Sequence, residues 1–142
     1  MPFVRVQVPS STTNLGPGFD ALGVALNLYN RVELDELPWG LSIHVEGEGA
    51  DVIPLDETNI SVEAVKRVYK KAGRTLPGLW MKQRNHIPLA RGLGSSSAAL
   101  VGGLVGANLL LGNPLSMDEL VQLGVEMEGH PDNVVPALVG GF

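Results

Sequence analysis

The 142-residue chain contains no cysteine, which excludes disulfides, thiolate nucleophiles and cysteine-ligated zinc. Acidic side chains outnumber basic ones, 15 against 10, and a net charge of −5 argues against a nucleic-acid surface, which needs a basic patch. The first residues lack a basic segment followed by an apolar run, so no secretory signal is predicted. We therefore expect a cytoplasmic chain forming one domain, residues 1–142, with its own core.

Charge is also missing from residues 92–117. The continuous apolar part of this stretch, residues 98–111, is shorter than the roughly 20 residues that a membrane-spanning helix requires. It also contains Gly102, Gly103, Gly106 and Asn108. We therefore predict no membrane segment but a buried helix. Gly102 and Gly106 lie one turn apart and would allow its backbone to approach a sheet closely.

Alternation of apolar and polar residues predicts strands at residues 3–8, 27–37, 41–45 and 79–85. The first three strands suggest an antiparallel meander with one wet face, on which His44 would be exposed to solvent. Helices are predicted for residues 58–72, for residues following the glycine-rich segment to about 112, and from Ser116, where Ser-Met-Asp-Glu forms a capping box. The expected fold class is α+β, a mostly antiparallel sheet covered by helices on one side.

A glycine-rich segment, Pro88-Leu-Ala-Arg-Gly-Leu-Gly-Ser-Ser-Ser-Ala98, joins a predicted strand to the uncharged helix. Its glycines allow backbone amides to approach a ligand closely, and the helix start brings unsatisfied N–H groups with partial positive charge. These features predict an anion site, most naturally for phosphate. The alternative is a plain turn, since the segment matches neither the Gly-Lys-Ser/Thr phosphate loop nor the Gly-x-Gly-x-x-Gly fingerprint.

Polar residues in three other places suggest function. A loop rich in glycine, proline and hydroxyls, residues 9–18, separates two apolar segments. Glu126 and Glu128 lie in the last turn of a predicted helix, where the dipole disfavours carboxylates, and this hints at a cation partner. Basic residues at the end of helix 58–72 either contact a nucleotide or, by default, form a solvated helix end; they are Lys66, Arg67, Lys70 and Lys71.

Three segments together resemble the GHMP small-molecule kinase superfamily, and within it the homoserine kinases. They are Val8-Pro-Ser-Ser-Thr-Thr-Asn-Leu-Gly-Pro-Gly-Phe-Asp20, the glycine-rich segment, and Glu128-Gly-His-Pro-Asp-Asn-Val-Val-Pro-Ala137. The glycine-rich segment alone signals the superfamily, whereas the other two are similar to homoserine kinases specifically. The resemblance covers the whole chain.

This resemblance implies ATP-dependent phosphorylation of the L-homoserine hydroxyl to O-phospho-L-homoserine, in threonine biosynthesis. It also implies the two-layer fold of ribosomal protein S5 domain 2, and family members are commonly homodimers. Members are considerably longer and carry a second, C-terminal α+β lobe, so we expect an N-terminal portion with little or no kinase activity alone. The alternatives are a GHMP kinase for another alcohol, a non-catalytic nucleotide-binding module, and a structural domain with glycine-rich turns.

The resemblance also assigns the nucleotide and the metal. The triphosphate would be held by the glycine-rich segment, namely Pro88, Leu89, Ala90, Arg91, Gly92, Leu93, Gly94, Ser95, Ser96, Ser97 and Ala98. A hydroxyl of Ser95 or Ser96 would ligate Mg²⁺ with a helix glutamate, matched to Glu126 in preference to Glu128. Asn59 lies where family members approach the adenine. A hydroxyl, a carboxylate and phosphates form a donor set that suits Mg²⁺.

The amino-acid substrate would be bound by Asn14 and by Asp20, the latter through the ammonium group. His130 and Asn133 would lie beside the substrate hydroxyl. An amide such as that of Asn133 cannot accept a proton, so the hydroxyl proton would go to the γ-phosphate or to water. The unperturbed pKa of histidine lies near neutrality, which makes His130 a candidate base, but we favour a positioning role for it because phosphoryl transfer depends little on a base.

Overall fold

The computed structural model describes residues 3–9, 29–87 and 95–129, with Ser95 and Ser96 described by their backbone only. Within these ranges the chain forms four strands and three helices, which confirms the mixed α+β class. In chain order these are β1 (Phe3–Pro9), β2 (Tyr29–Glu36), β3 (Gly40–Gly47), α1 (Ile60–Lys71), β4 (Gly78–Asn85), α2 (Ser95–Leu110) and α3 (Met117–Glu128).

The four strands form one sheet in the order β1-β2-β4-β3. β1 pairs with β2 and β2 pairs with β4, both antiparallel, whereas β3 runs parallel to β4. The sheet is mostly antiparallel, as expected, but the predicted meander is wrong. After β3 the chain crosses over through α1, and β4 enters between β2 and β3, which is how parallel neighbours are connected.

One face of the sheet carries the core and the other carries charge. Val6, Val8 and Val32 are buried beneath the helices. On the other face Arg5 lies 3.0 Å from the carboxylate of Glu33. His44 is exposed, and its ring nitrogen lies 3.1 Å from the hydroxyl of Ser42, so its prediction as a solvent-facing residue is confirmed. The alternation in the sequence therefore predicted the two faces correctly.

Helix α2 lies against both β2 and α1 with its backbone in close contact. A methyl group at Gly102 would lie 2.5 Å from Val32 Cγ2, and one at Gly106 would lie 2.5 Å from Leu34 Cδ1. The close approach predicted from these glycines is confirmed. Among the described residues, no helix combines the length and apolarity needed to cross a membrane.

The connection from α2 to α3 is fixed by hydrogen bonds at both of its ends. Asn108, buried in α2, accepts from the backbone N–H of Leu115 and donates to the carbonyl of Leu115, both at 3.0 Å. Ser116 then caps α3 with Glu119 in the predicted capping box, and Gly129 ends the helix in the left-handed conformation. These contacts define where α3 begins and where it ends.

Tyr69 joins α1 to the sheet. Its side chain is buried, and its hydroxyl donates a hydrogen bond of 2.5 Å to Glu36 at the end of β2. Burial raises the pKa of Tyr69 well above its ordinary value, and the hydrogen bond to Glu36 raises it further. The folded chain therefore strongly favours the neutral phenol over the phenolate.

This raised pKa predicts how stability changes in alkali. Since the pKa is higher in the folded state, the contribution of Tyr69 is complete below its unfolded pKa of about 10 and declines as pH rises beyond it. The chain has two tyrosines, so Tyr69 is the sole tyrosine in Tyr29→Phe. We expect the tyrosinate absorbance of this variant to develop together with alkaline unfolding monitored by circular dichroism. Tyrosinate forming near pH 10 in a fully folded chain would contradict the buried contact.

Candidate functional site

The candidate site is the N-terminal end of α2, which begins at Ser95 within the glycine-rich segment. Ala98, Leu100 and Val101 bury this end of the helix in the core, so its position is fixed. The first turn contains no acidic side chain that would neutralise the positive end of the helix dipole. The first N–H groups of a helix have no partner within it, and together with the dipole they favour an anion.

A hydroxyl and a carboxylate meet beside this helix start. The Ser97 hydroxyl, 2% exposed, donates a hydrogen bond to Oε2 of Glu128 in the last turn of α3. Serine and glutamate oxygens are the ligand types that Mg²⁺ prefers. In the described part of the chain no group of three or more histidine, aspartate or glutamate side chains could hold a metal. A metal at this place would need further oxygen ligands, such as phosphates.

The structure separates the two glutamates that the sequence left as alternatives. Glu126 is exposed, and its carboxylate lies 3.5 Å from the side-chain amide of Gln122 on the same helix. Positions two apart on a helix point about 200° away from each other, so Glu126 and Glu128 cannot face the same neighbour. Glu128 is the carboxylate that reaches α2, so the geometry favours it over Glu126 as a metal ligand, and the assignment of either stays a prediction.

Asn59, the residue expected near the adenine, caps a helix. It is buried as the N-cap of α1, and its Oδ1 accepts from the backbone N–H groups of Ser61 and Val62 at 2.8 and 3.4 Å. Its Nδ2 donates to the carbonyl of Pro54 at 3.0 Å and to Oε1 of Gln83 at 3.1 Å. A side-chain amide has two donor hydrogens and two acceptor lone pairs, and all are used here. The structure assigns this side chain to the helix cap, and the position of Asn59 near the adenine stays a prediction.

Two buried hydrogen-bonding groups near the site were missed from the sequence. Asn30 accepts from the backbone N–H groups of His86 and Ile87, just before the glycine-rich segment. Ser61 donates to the carbonyl of Ala99, just after the start of α2. Asn30 could have been found from the sequence, because it is a polar residue at a core-facing position of a strand. Ser61 lies in the first turn of a helix, where a serine is not unusual, and gave no such signal.

The basic cluster of α1 lies away from this site. Arg67, Lys70 and Lys71 line an open cavity of about 540 Å³ together with Leu123. They occupy the C-terminal half of α1, whereas the N-terminal end of that helix contacts α2 near its start through Ser61. The geometry therefore favours a solvated helix end over a nucleotide contact.

Several expected site residues lie outside the described residues, and their roles stay predictions. They are Asn14, Asp20, Pro88, Leu89, Ala90, Arg91, Gly92, Leu93, Gly94, His130 and Asn133. Ser95 and Ser96 are placed in the first turn of α2 by their backbone. Of the expected phosphate-binding residues, the structure therefore describes only residues 95–98, which form the first turn of α2.

Comparison with known proteins gives consistent matches. The model of the GHMP kinases N terminal domain matches residues 59–141, more than half of the chain. The chain is 53% identical over 138 residues to a homoserine kinase of Carboxydothermus hydrogenoformans, covering 97% of this chain and 45% of that protein. It is 51% identical over 142 residues to a homoserine kinase of Moorella thermoacetica, covering 100% of this chain and 47% of that protein.

Solved structures agree with the fold. A homoserine kinase from Cytophaga hutchinsonii superposes with a TM-score of 0.81 at 28% identity, covering 99% of this chain and 47% of that one. The mevalonate kinase of Methanococcus jannaschii superposes with a TM-score of 0.69 at 15% identity, covering 96% of this chain and 51% of that one, and shows the fold alone. The chain thus spans about half the length of the relatives it matches.

Proposed function

The chain belongs to the GHMP kinase family, and from this premise we propose that it is the nucleotide-binding part of an ATP:L-homoserine phosphotransferase. The observation that carries the proposal is the contact between Ser97 and Glu128 at the start of α2. It places a hydroxyl and a carboxylate beside a helix N-terminus that follows a glycine-rich segment. We propose L-homoserine as the substrate because the relatives described above are homoserine kinases.

The proposed nucleotide site uses backbone donors for the phosphates and oxygen side chains for the metal. N–H groups of the glycine-rich segment and of the first turn of α2 hold the triphosphate. A serine hydroxyl of that turn and the carboxylate of Glu128 suit Mg²⁺, which would neutralise phosphate charge when bound. Phosphoryl transfer requires positioning and charge neutralisation more than covalent help, so this set is chemically sufficient on the nucleotide side.

The proposed acceptor site uses residues that only the sequence assigns. Asp20 binds the substrate ammonium group and Asn14 contributes a polar contact. Asn133 and His130 orient the substrate hydroxyl towards the γ-phosphate. Because the Asn133 amide cannot accept the hydroxyl proton, the proton passes to the γ-phosphate or to water. The proposed product is O-phospho-L-homoserine, and the proposal includes a role in threonine biosynthesis and a cytoplasmic location.

The length of the chain bears on activity. It spans 45% and 47% of the two curated homoserine kinases described above. We propose that these 142 residues bind Mg-ATP but have little or no kinase activity alone. Pairing of two copies, common in the family, is part of the proposal for the whole enzyme.

Calorimetry on this chain tests the proposal. We expect saturable binding of Mg-ATP, and in a coupled assay with L-homoserine a turnover far below the roughly 10 s⁻¹ of an average enzyme. A panel of other alcohols, with mevalonate as one member, tests the substrate assignment by binding. Absence of any Mg-ATP binding would contradict the nucleotide site, and normal turnover would contradict the proposed incompleteness. Preference for another alcohol would identify a different GHMP kinase.

A further inference from the structure

Asn30 anchors the chain immediately before the glycine-rich segment. This residue of β2 is completely buried, and its Oδ1 accepts hydrogen bonds of 3.0 Å from the backbone N–H groups of both His86 and Ile87. The N–H of His86 also donates to the carbonyl of Tyr29 at 3.1 Å. One side chain therefore fixes two successive peptide groups where the chain leaves β4.

Ser61 anchors the chain just after the same segment. Its hydroxyl donates to the carbonyl of Ala99, one turn into α2, at 2.6 Å. Gln83 on β4 donates to the same hydroxyl at 2.7 Å, and Asn59 donates to Gln83 at 3.1 Å. Both Ser61 and Gln83 are buried. This chain of hydrogen bonds links the cap of α1, the inner strand β4 and the start of α2.

On the core face of the central strands β2 and β4, the buried polar residues occur at one end of the sheet. Along the core face of β2, Asn30 precedes Val32 and Leu34, and along that of β4, Met81 precedes Gln83. Because β2 and β4 are antiparallel, Asn30 and Gln83 lie at the same end, from which the glycine-rich segment departs. Apolar residues would fill these positions without the desolvation cost of a buried amide. The buried polar groups of the core face therefore lie at the end of the sheet from which the glycine-rich segment departs.

We infer that Asn30 and Ser61, with Gln83 behind Ser61, are positioning residues that hold the two ends of the glycine-rich segment at a fixed separation. This inference rests on the proposed nucleotide-binding function. Neither anchor contacts the nucleotide. Both act through the backbone of the residues that flank the segment, so that the end of β4 and the first turn of α2 already hold their positions when the ligand arrives.

Asn108 provides the matched control. It is also a buried asparagine that holds a loop by backbone hydrogen bonds, in its case to Leu115 beyond the opposite end of α2. Asn108→Ala and Asn30→Ala should each lower the melting temperature, because each leaves buried backbone groups without a partner. A merely structural role for Asn30 predicts that the two variants also bind Mg-ATP equally well.

The test measures Mg-ATP affinity by calorimetry on the 142-residue chain and its variants, well below every melting temperature. We expect Asn30→Ala to weaken binding by about tenfold, the equivalent of ordering one residue's backbone, and Ser61→Ala by about threefold. Asn108→Ala should stay within about twofold of the wild-type chain, as expected for a distant and independent site. Amide exchange of Ile87, measured by NMR, should accelerate in Asn30→Ala and not in Asn108→Ala.

Each result decides the matter. If Asn30→Ala and Ser61→Ala change the affinity no more than Asn108→Ala does, the positioning role is wrong while the proposed function stands. If the wild-type chain itself does not bind Mg-ATP, the proposed nucleotide site is wrong and the inference falls with it.

Discussion

Replacing Glu128 by alanine is expected to weaken Mg-ATP binding by about 100-fold, the upper range for residues that support a bound metal. Glu126→Ala should leave the affinity within about twofold, as is usual for surface substitutions. The two residues lie in the same turn of α3, but Glu128 contacts Ser97 at the start of α2, whereas Glu126 is exposed. Glu126→Ala is therefore a control matched in residue type, helix and charge.

Glu128→Gln separates the charge from the hydrogen bond. The amide oxygen of glutamine can still accept from the Ser97 hydroxyl, but it is a far weaker ligand for Mg²⁺ than a carboxylate. If Glu128 only tied α3 to α2, glutamine would restore the affinity; if it serves the metal, glutamine should behave like alanine.

Calorimetric titration with ATP in the presence of Mg²⁺ and in the presence of EDTA measures the difference. Without the metal, removal of a carboxylate beside the triphosphate should leave ATP binding unchanged or strengthen it, because like charges repel. Equal losses with and without Mg²⁺ would show that the substitution acts on folding or on the loop, and the metal assignment would then be wrong.

The helices could be predicted well from the sequence because their signals are local. The Ser116 capping box and the glycine that follows α3 mark the ends of that helix through contacts within one turn. The close approach of α2 could also be predicted, since glycines on one side of an uncharged helix have few other uses. Their contacts with Val32 and Leu34 bear this out.

The order of the strands could not be predicted in the same way. Alternation reports which face of a strand is buried, and it was right for β1 and β3. It carries no information about the neighbour with which a strand pairs, because that depends on how the chain between them crosses over. The insertion of β4 between β2 and β3 is set by α1, which joins β3 to β4 across the core.

The candidate site was predicted in outline but not in its contacts. Both Glu126 and Glu128 lie in the last turn of α3, so the dipole argument made them equally suitable as metal ligands. Only the packing of α3 on α2 shows that Glu128, and not Glu126, faces the start of α2. Asn59 was expected at a ligand, and its position before a helix equally suits an N-cap, which is the role it has. For Glu128 the deciding partner, Ser97, lies far away in the sequence, whereas Asn59 caps α1 through its close neighbours Ser61 and Val62.

Substitution of Gly103 by alanine is expected to destabilise the fold by about 1–3 kcal/mol, the usual effect of overpacking a core. An added methyl group would lie 2.6 Å from the carbonyl oxygen of Ser61 and 2.9 Å from Cβ of Ala64. Both atoms belong to or adjoin the backbone of α1, so they cannot move away as the end of a side chain can. Helix propensity alone would make the same change stabilising by about 1 kcal/mol, so the sign of the effect is informative.

Gly106→Ala is the matched comparison on the same helix. There the nearest atom is Leu34 Cδ1 at 2.5 Å, the end of a flexible side chain, and we expect a change close to zero because the propensity gain of about 1 kcal/mol offsets the adjustment. Urea unfolding of both variants measures the difference in their free energies of unfolding.

Gly103 faces Ser61, whose hydroxyl donates to the carbonyl of Ala99. Gly103→Ala should therefore also weaken Mg-ATP binding, and Gly106→Ala should not. Equal stabilities of the two variants would show that α1 can move away from α2 at little cost in free energy. The tight contact between the two helices would then not explain the hydrogen bond from Ser61 to the carbonyl of Ala99.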